Sequence, residues 1–260
     1  MKKYIAAVVA IAAAQFLLLS VGAQQPSSDL PFSFADRGGV SVTTSGQNNS
    51  LTTGYARIQP AGANTTPFGV AIFGFRRNNV LVSEAGVPAS PLIQSGRIYA
   101  EVNGPLNAGF AIANPNNADA RIDFYFTDTN GVDFSQGNFT LPANGQKAAF
   151  LSESPINGRG TILGAFSFRS SVPVSAIALR TLINERGEFL MTTLPVVDTS
   201  LPAATGMQVL PHFAEGGGFT THILLINPTD TALTGTIQFF SQGSGTTPGA
   251  RPSSGSTRTA

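Results

Sequence analysis

The chain has 260 residues, of which only 11% are charged, with a formal net charge of +1 and neither cysteine nor tryptophan. So small a charge offers no electrostatic pull toward nucleic acid or an anionic lipid surface. The lack of cysteine excludes disulfides and a lipid-bearing cysteine, so the chain depends on core burial alone. Solubility falls to Thr, Ser, Asn and Gln, residues that favour turns and pleated surfaces over helices.

Residues 1–23 read as an export signal: Lys2 and Lys3 give a basic start, 5–19 an apolar run broken by Gln15, and Val21-Gly22-Ala23 a small-residue cleavage site. The run is shorter than the roughly 20 residues that span a bilayer, so cleavage after Ala23 is expected, with no membrane attachment afterwards. The mature protein is therefore expected to be secreted or held at the cell surface, with 24–36 as a polar spacer.

From there short apolar or alternating runs recur, each ended by Gly, Pro or Asn, which predicts strands and turns. They fall at 55–59, 68–75, 80–83, 97–102, 109–114, 121–127, 160–168, 174–182, 189–193, 219–227 and 235–241. The clearest is 121–127, where Ile122, Phe124 and Phe126 alternate with Arg121, Asp123, Tyr125 and Thr127. Asn130-Gly131 after it predicts a type I′ hairpin turn. One helical turn is expected near 150–154. Residues 243–260 reduce to Ser, Gly, Thr, Pro and Arg with almost nothing to bury, a composition that predicts disorder.

The chain also repeats itself. "FGFRRNNVLVS" from Phe73 resembles "FSFRSSVPVS" from Phe166, and "FAIANPNNADARIDFYF" from Phe110 resembles "ILLINPTDTALTGTIQFF" from Ile223. The first kind of segment closes a unit and the second opens one, so the order is closing, opening, closing, opening. Asn114-Pro115 and Asn227-Pro228 each end a run and start a turn. The fold predicted is all-β: immunoglobulin-like β-sandwich modules in a short array. Residues 37–93 are its N-terminal half-module, 94–199 its central module and 200–242 its incomplete last module. Ile122, Phe124, Phe166, Phe168, Ile177 and Leu225 are expected in the core.

Three stretches, "VSEAGVPAS" from Val82, "NERGEFLMTTLPVVD" from Asn184 and "PHFAEGGGFTTHILLINP" from Pro211, resemble an uncharacterised family of exported, β-rich bacterial repeat proteins. The resemblance covers most of 50–242. It implies a module of a secreted or surface protein and no catalytic residues.

The residues themselves raise a few chemical possibilities. His212, Glu215 and His222 carry ligand types suited to zinc, as a zinc-dependent hydrolase would need, but they flank three glycines that read as a turn. Those glycines lead into an apolar run, whereas a phosphate loop leads into a helix. Asp128, Asn130 and Asp133 offer half of a calcium loop and no closing Glu. Gly158-Arg159-Gly160 precedes a strand, unlike a dinucleotide fingerprint, and Ser152 and Ser154 lack a nucleophile elbow. Sugar stacking would rest on Tyr55, Tyr99 and Tyr125, provided they share one exposed surface. The reading is of a structural or adhesive module without catalysis, cofactor or bound metal. It would join other β-modules through an exposed C-terminal edge, and its alternative is a domain binding a glycan, peptide or protein ligand.

Overall fold

A computed structural model describes residues 30–44 and 50–240. The export signal, residues 24–29 of the spacer and the 243–260 tail lie outside the described residues. The chain is all-β, with no helix among the described residues, and no helix there is long and apolar enough to cross a membrane. Ten strands form among the described residues: β1 (Val70–Arg77), β2 (Val80–Pro88), β3 (Ile93–Val102), β4 (Leu106–Ala113), β5 (Ala120–Asp128), β6 (Asp133–Leu141), β7 (Gln146–Phe150), β8 (Ile162–Ile183), β9 (Phe189–Leu194) and β10 (Val197–Asp198).

β8 organises the molecule. Its first part lies between β3 and β5, giving the order β10-β3-β8-β5-β6, and its second part between β4 and β9, giving β7-β4-β8-β9, all antiparallel. Val102 pairs with Ile162 and Leu106 with Leu182. The tight turn at Gly104-Pro105 keeps 102 and 106 within about 15 Å, whereas a straight strand would hold 162 and 182 about 65 Å apart. β8 therefore doubles back. The fold-back lies at Ser171-Val172-Pro173, where the register against β3 jumps from Arg169 to Val174. Proline, which cannot donate to a ladder, suits such a break.

The two sheets face each other across one core, because Phe110 of β4 stacks on Phe166 of β8, centroids 5.5 Å apart, and lies 6.3 Å from Phe139 of β6. Phe124 and Phe126 of β5 close around Phe166 at 5.6 and 5.2 Å. All the buried members of this cluster fall between Ile93 and Ala178. β5 shows the expected alternation, with Ile122, Phe124 and Phe126 buried while Arg121 and Asp123 are exposed.

Four of the six expected core residues, Ile122, Phe124, Phe166 and Phe168, are buried; Ile177 and Leu225 are not. Even-numbered positions of β8 face inward from Ile162 to Ala178, so small Ala176 and Ala178 enter the core and Ile177 falls on the opposite face. Leu225 is 70% exposed because no sheet covers it.

Other expectations need correction. The runs at 55–59 and 219–227, and the described part of 235–241, form no ladder: their local pattern suits strands, but no neighbouring strand pairs with them. The runs at 160–168 and 174–182 belong to the single strand β8. The helical turn near 150–154 is a pair of tight turns, with Glu153 N donating to Phe150 O at 3.0 Å and Asn157 N to Glu153 O at 2.7 Å. Only Gly131 of Asn130-Gly131 takes positive φ. The two-residue left-handed turn sits instead at Asn78 (φ 50°) and Asn79 (φ 63°), joining β1 to β2.

That β1–β2 hairpin is a separate two-stranded sheet. It rests beside β9 through side chains: Met191 N donates to Ser83 Oγ at 2.9 Å, Thr193 Oγ1 to Gly86 O at 2.6 Å, and Phe75 meets Phe189 edge-on at 5.7 Å. The "closing" similarity therefore serves two geometries, a hairpin at 73–83 and a doubled-back strand at 166–175.

Candidate functional site

The polar face of the β10-β3-β8-β5-β6 sheet gathers side chains in ranks fixed by strand register. Arg97 of β3, Ser167 of β8 and Tyr125 of β5 are direct cross-strand partners, and one rank along lie Ser95, Arg169, Asp123 and Asn138. All point away from the core, because their neighbours Ile98, Phe124, Phe166 and Phe168 fill it. Between the ranks runs an open trough of about 570 Å³.

Arg97 dominates this surface. Its Nε donates to Ser167 Oγ at 2.9 Å and its Nη2 to Tyr125 Oη at 3.3 Å. Its Nη1 donates to the carbonyls of Asn227 (2.8 Å) and Thr229 (3.0 Å), and Nη2 pairs with Asp230 Oδ1 at 3.0 Å. The guanidinium thus holds the 227–231 turn against the sheet. Burial works against its charge, but the bonds to Asp230 and Tyr125 outweigh this and leave its pKa above the ordinary arginine value.

In the next rank, Asp123 accepts both Nε (3.1 Å) and Nη2 (2.8 Å) of Arg121 at Oδ1. The Arg169 guanidinium, although opposite Asp123 in register, makes no ion pair or side-chain hydrogen bond among the described residues. The trough therefore carries one guanidinium without a carboxylate partner.

The tyrosines are divided. Tyr125 is part of the Arg97 rank, and Tyr99 lies one rank further along the same face of β3. Burial and then the Glu101 charge push the Tyr99 hydroxyl pKa up. Tyr55 lies outside the sheets, and all three rings are half-buried, so they form no shared exposed platform. Behind Tyr99, Arg180 Nη2 reaches Glu101 Oε2 at 3.1 Å, a largely buried ion pair tying β3 to the second part of β8.

The stretch "PHFAEGGGFTTH" is a turn. Gly216 and Phe219 exchange backbone bonds of 3.1 and 3.0 Å, with Gly217 (φ 59°) and Gly218 (φ 90°) between them. Thr221 Oγ1 clasps the other side, accepting from Ala214 N at 3.0 Å and donating to Ala214 O at 2.8 Å. His212, Glu215 and His222 are all exposed, and no group of three or more His, Asp and Glu side chains among the described residues is placed to hold a metal.

Asp128 Oδ1 is occupied by Asn130 N (2.8 Å) and Val132 N (2.9 Å), which lower its pKa, the bond from Val132 most. Asp133 Oδ1 accepts from Thr127 Oγ1 at 2.7 Å. These carboxylates serve the hairpin's own turn. Ser152 Oγ accepts from Asn107 Nδ2 at 3.4 Å, and Arg159 stacks over Phe134 at 4.5 Å.

Sequence reasoning singled out neither Arg97 nor Arg169, since each is a lone arginine within a strand. What could have pointed to Arg97 is the Asn-Pro turn itself, whose inward carbonyls need a donor on the neighbouring surface.

No protein-family model and no curated protein matches the chain. Among solved structures it is similar to Thermotoga maritima 1070, with 14% identity over 39% of this chain and 90% of that one, at a TM-score of 0.34. It is similar also to the Anabaena sensory rhodopsin transducer, with 16% identity over 32% of this chain and 91% of that one, at a TM-score of 0.29. Likenesses this distant carry no inference for this chain.

Proposed function

We propose that the protein is an exported structural or adhesive module, without catalysis, whose paired sheets are an immunoglobulin-like sandwich within a short array at the bacterial surface. The observation that carries this reading is the contrast between a tightly packed core at 93–178 and apolar side chains left exposed on both sides of it. Phe68, Val70 and Ile72 precede the core, and Leu225, Ile237 and Phe240 follow it. Apolar side chains gathered on an exposed strand edge are suited to contact with other protein. The signal-like residues 1–23 and the resemblance carried by Val82–Ser90, 184–198 and 211–228 support the same reading. Fractionation of a bacterial host, followed by protease treatment of intact cells, tests it. The expected result is a processed protein lacking Lys2 and Lys3 and accessible from outside; an unprocessed cytoplasmic protein would reject the proposal.

A second reading, a glycan- or peptide-binding domain, is favoured by the trough and its unpaired Arg169. Titration with acidic oligosaccharides and acidic peptides should then show binding that Arg169→Ala weakens at least tenfold. Binding unchanged by that substitution would remove this reading.

A further inference from the structure

The exposed segments on the two sides of the core are copies of two segments that pair inside it. In the central unit, 122–126 lies in β5 and runs antiparallel to 166–170 of β8, with Phe124 opposite Phe168 and Asp123 opposite Arg169. The internal repeat equates Phe168 with Phe75, Arg169 with Arg76, Asp123 with Gln238 and Phe124 with Phe239. Among the described residues, neither outer copy has the partner that its inner copy has. β1 pairs with β2 alone, and its other edge carries no ladder; 223–240 joins no ladder, although Arg97 holds its turn and Phe239 touches Phe213. Phe75 meets Phe189 and not Phe239, so the two copies do not satisfy each other within the chain.

We propose that the partner of each is a second copy of this chain: 235–240 of one molecule adds as an antiparallel strand to the free edge of β1 of the next, Phe239 opposite Phe75 and Gln238 opposite Arg76. Extension of a sheet by an extended segment from another chain satisfies the open backbone groups of both. Charge does not oppose the contact, since β1 and β2 carry Arg76 and Arg77 against Glu84 while 235–240 is uncharged. Because two different surfaces meet, the contact is heterologous and propagates head to tail into a ring or filament. This deepens the module reading above and rests on it.

The absence of native cysteine makes the test direct. Arg76→Cys and Gln238→Cys replace exposed side chains outside the core, so both variants should fold. Mixed under oxidising conditions, they should give a disulfide-linked dimer that neither gives alone, and the double variant a ladder of multimers. Light scattering of the unmodified chain should show mass rising with concentration, and Ile237→Lys should return it to monomer. Dimers from either single variant alone, a monomeric loop from the double variant, or constant monomer mass without cross-linking would each overturn the proposal. Surface exposure of Ile237→Lys in the fractionation assay separates the two claims. If cross-linking fails while the protein is still exported and surface-exposed, only the head-to-tail contact falls; if it is not exported, the module reading falls first.

Discussion

Two turns in this molecule are built from one pattern and meet different fates. At Asn114, Oδ1 accepts from Asn116 N at 3.1 Å and Nδ2 donates to Ala118 O at 2.8 Å. At Asn227, Oδ1 accepts from Thr229 N at 2.9 Å and Nδ2 donates to Thr231 O at 2.7 Å. The bonding reproduces residue for residue, yet Asn114 is fully buried between two paired strands whereas Asn227 is exposed between two segments that pair with nothing. A pre-proline asparagine closes its own loop with bonds to residues two and four further on. The flanking strands need a neighbour and a covered face, because an isolated pair is marginal in water.

The largest test of that contrast is core truncation. Phe166→Ala removes a ring packed on Phe110, Phe124 and Phe126 and should cost about 3 to 5 kcal/mol. Leu225→Ala, on the matching unpaired segment, should change stability by less than about 0.5 kcal/mol. Denaturant unfolding measures both, and comparable losses would mean that 223–240 is packed in solution as tightly as the central unit.

Next comes the asparagine itself. Asn114 Nδ2 also donates to Leu141 O at 3.2 Å and Pro142 O at 3.0 Å, so Asn114→Ala takes a donor from the buried Leu141 carbonyl and undoes the link between the two loops. A loss of about 3 kcal/mol is expected, against about 0.5 kcal/mol for Asn227→Ala, where solvent replaces the lost partners. Equal melting-temperature shifts would show that the local turn, and not its burial, sets the energy.

The same distinction decides what was legible beforehand. β5 was readable because Ile122, Phe124 and Phe126 alternate with polar residues and the core takes that alternation literally. The Asn-Pro turns were readable as turns for the local reason just given. β6 was not, because a register shift near Ser135 (φ 46°) puts Phe134 and Phe139 out of step in the sequence while both reach the core margin. β7, with Lys147, Ala148 and Ala149, lacks the branched residues that announce a strand and is held by its ladder to β4. Ser170-Ser171-Val172-Pro173 looks like a stop between strands, and only the pairings on either side show one strand folding back. Ile177 falls off the core because the inward positions of β8 are the even ones, where Ala176 and Ala178 lie beside their cross-strand partners Ile112 and Phe110. Of the polar face, only the outward side of Tyr125 follows from the alternation of 121–127, and Arg97 and Arg169 acquire meaning only through register.

A smaller effect should follow from releasing the outer turn. Arg97→Ala removes the bonds to the Asn227 and Thr229 carbonyls and to Asp230, whose side chain is 92% exposed. Because water can serve those groups once the turn lifts, a cost of about 1 kcal/mol is expected. Amide exchange should rise at 227–231 and stay unchanged at 114–118. Arg97→Lys should not restore protection, since an ammonium cannot reach Ser167, Tyr125 and both carbonyls with one planar fork. Unaltered exchange at 227–231 would show that the turn holds without its anchor.

The smallest effect belongs to the glycine turn. A Cβ at Gly217 would meet nothing within 4 Å, so Gly217→Ala adds no clash and acts only through its backbone angle of φ 59°. A left-handed alanine costs about 1 kcal/mol relative to glycine, and that cost falls on a segment outside the packed core. The global melting temperature should therefore stay nearly constant, while the Gly216–Phe219 bonds and the Thr221 clasp on Ala214 loosen and amide exchange rises across 214–221. A chelator should leave both measurements unchanged, because here the glycines set backbone geometry and His212, Glu215 and His222 are free surface groups. If chelation lowered the melting temperature by several degrees, or protected amides at 212–222 lost protection with it, the turn would have to be reassigned as the backbone of a metal site.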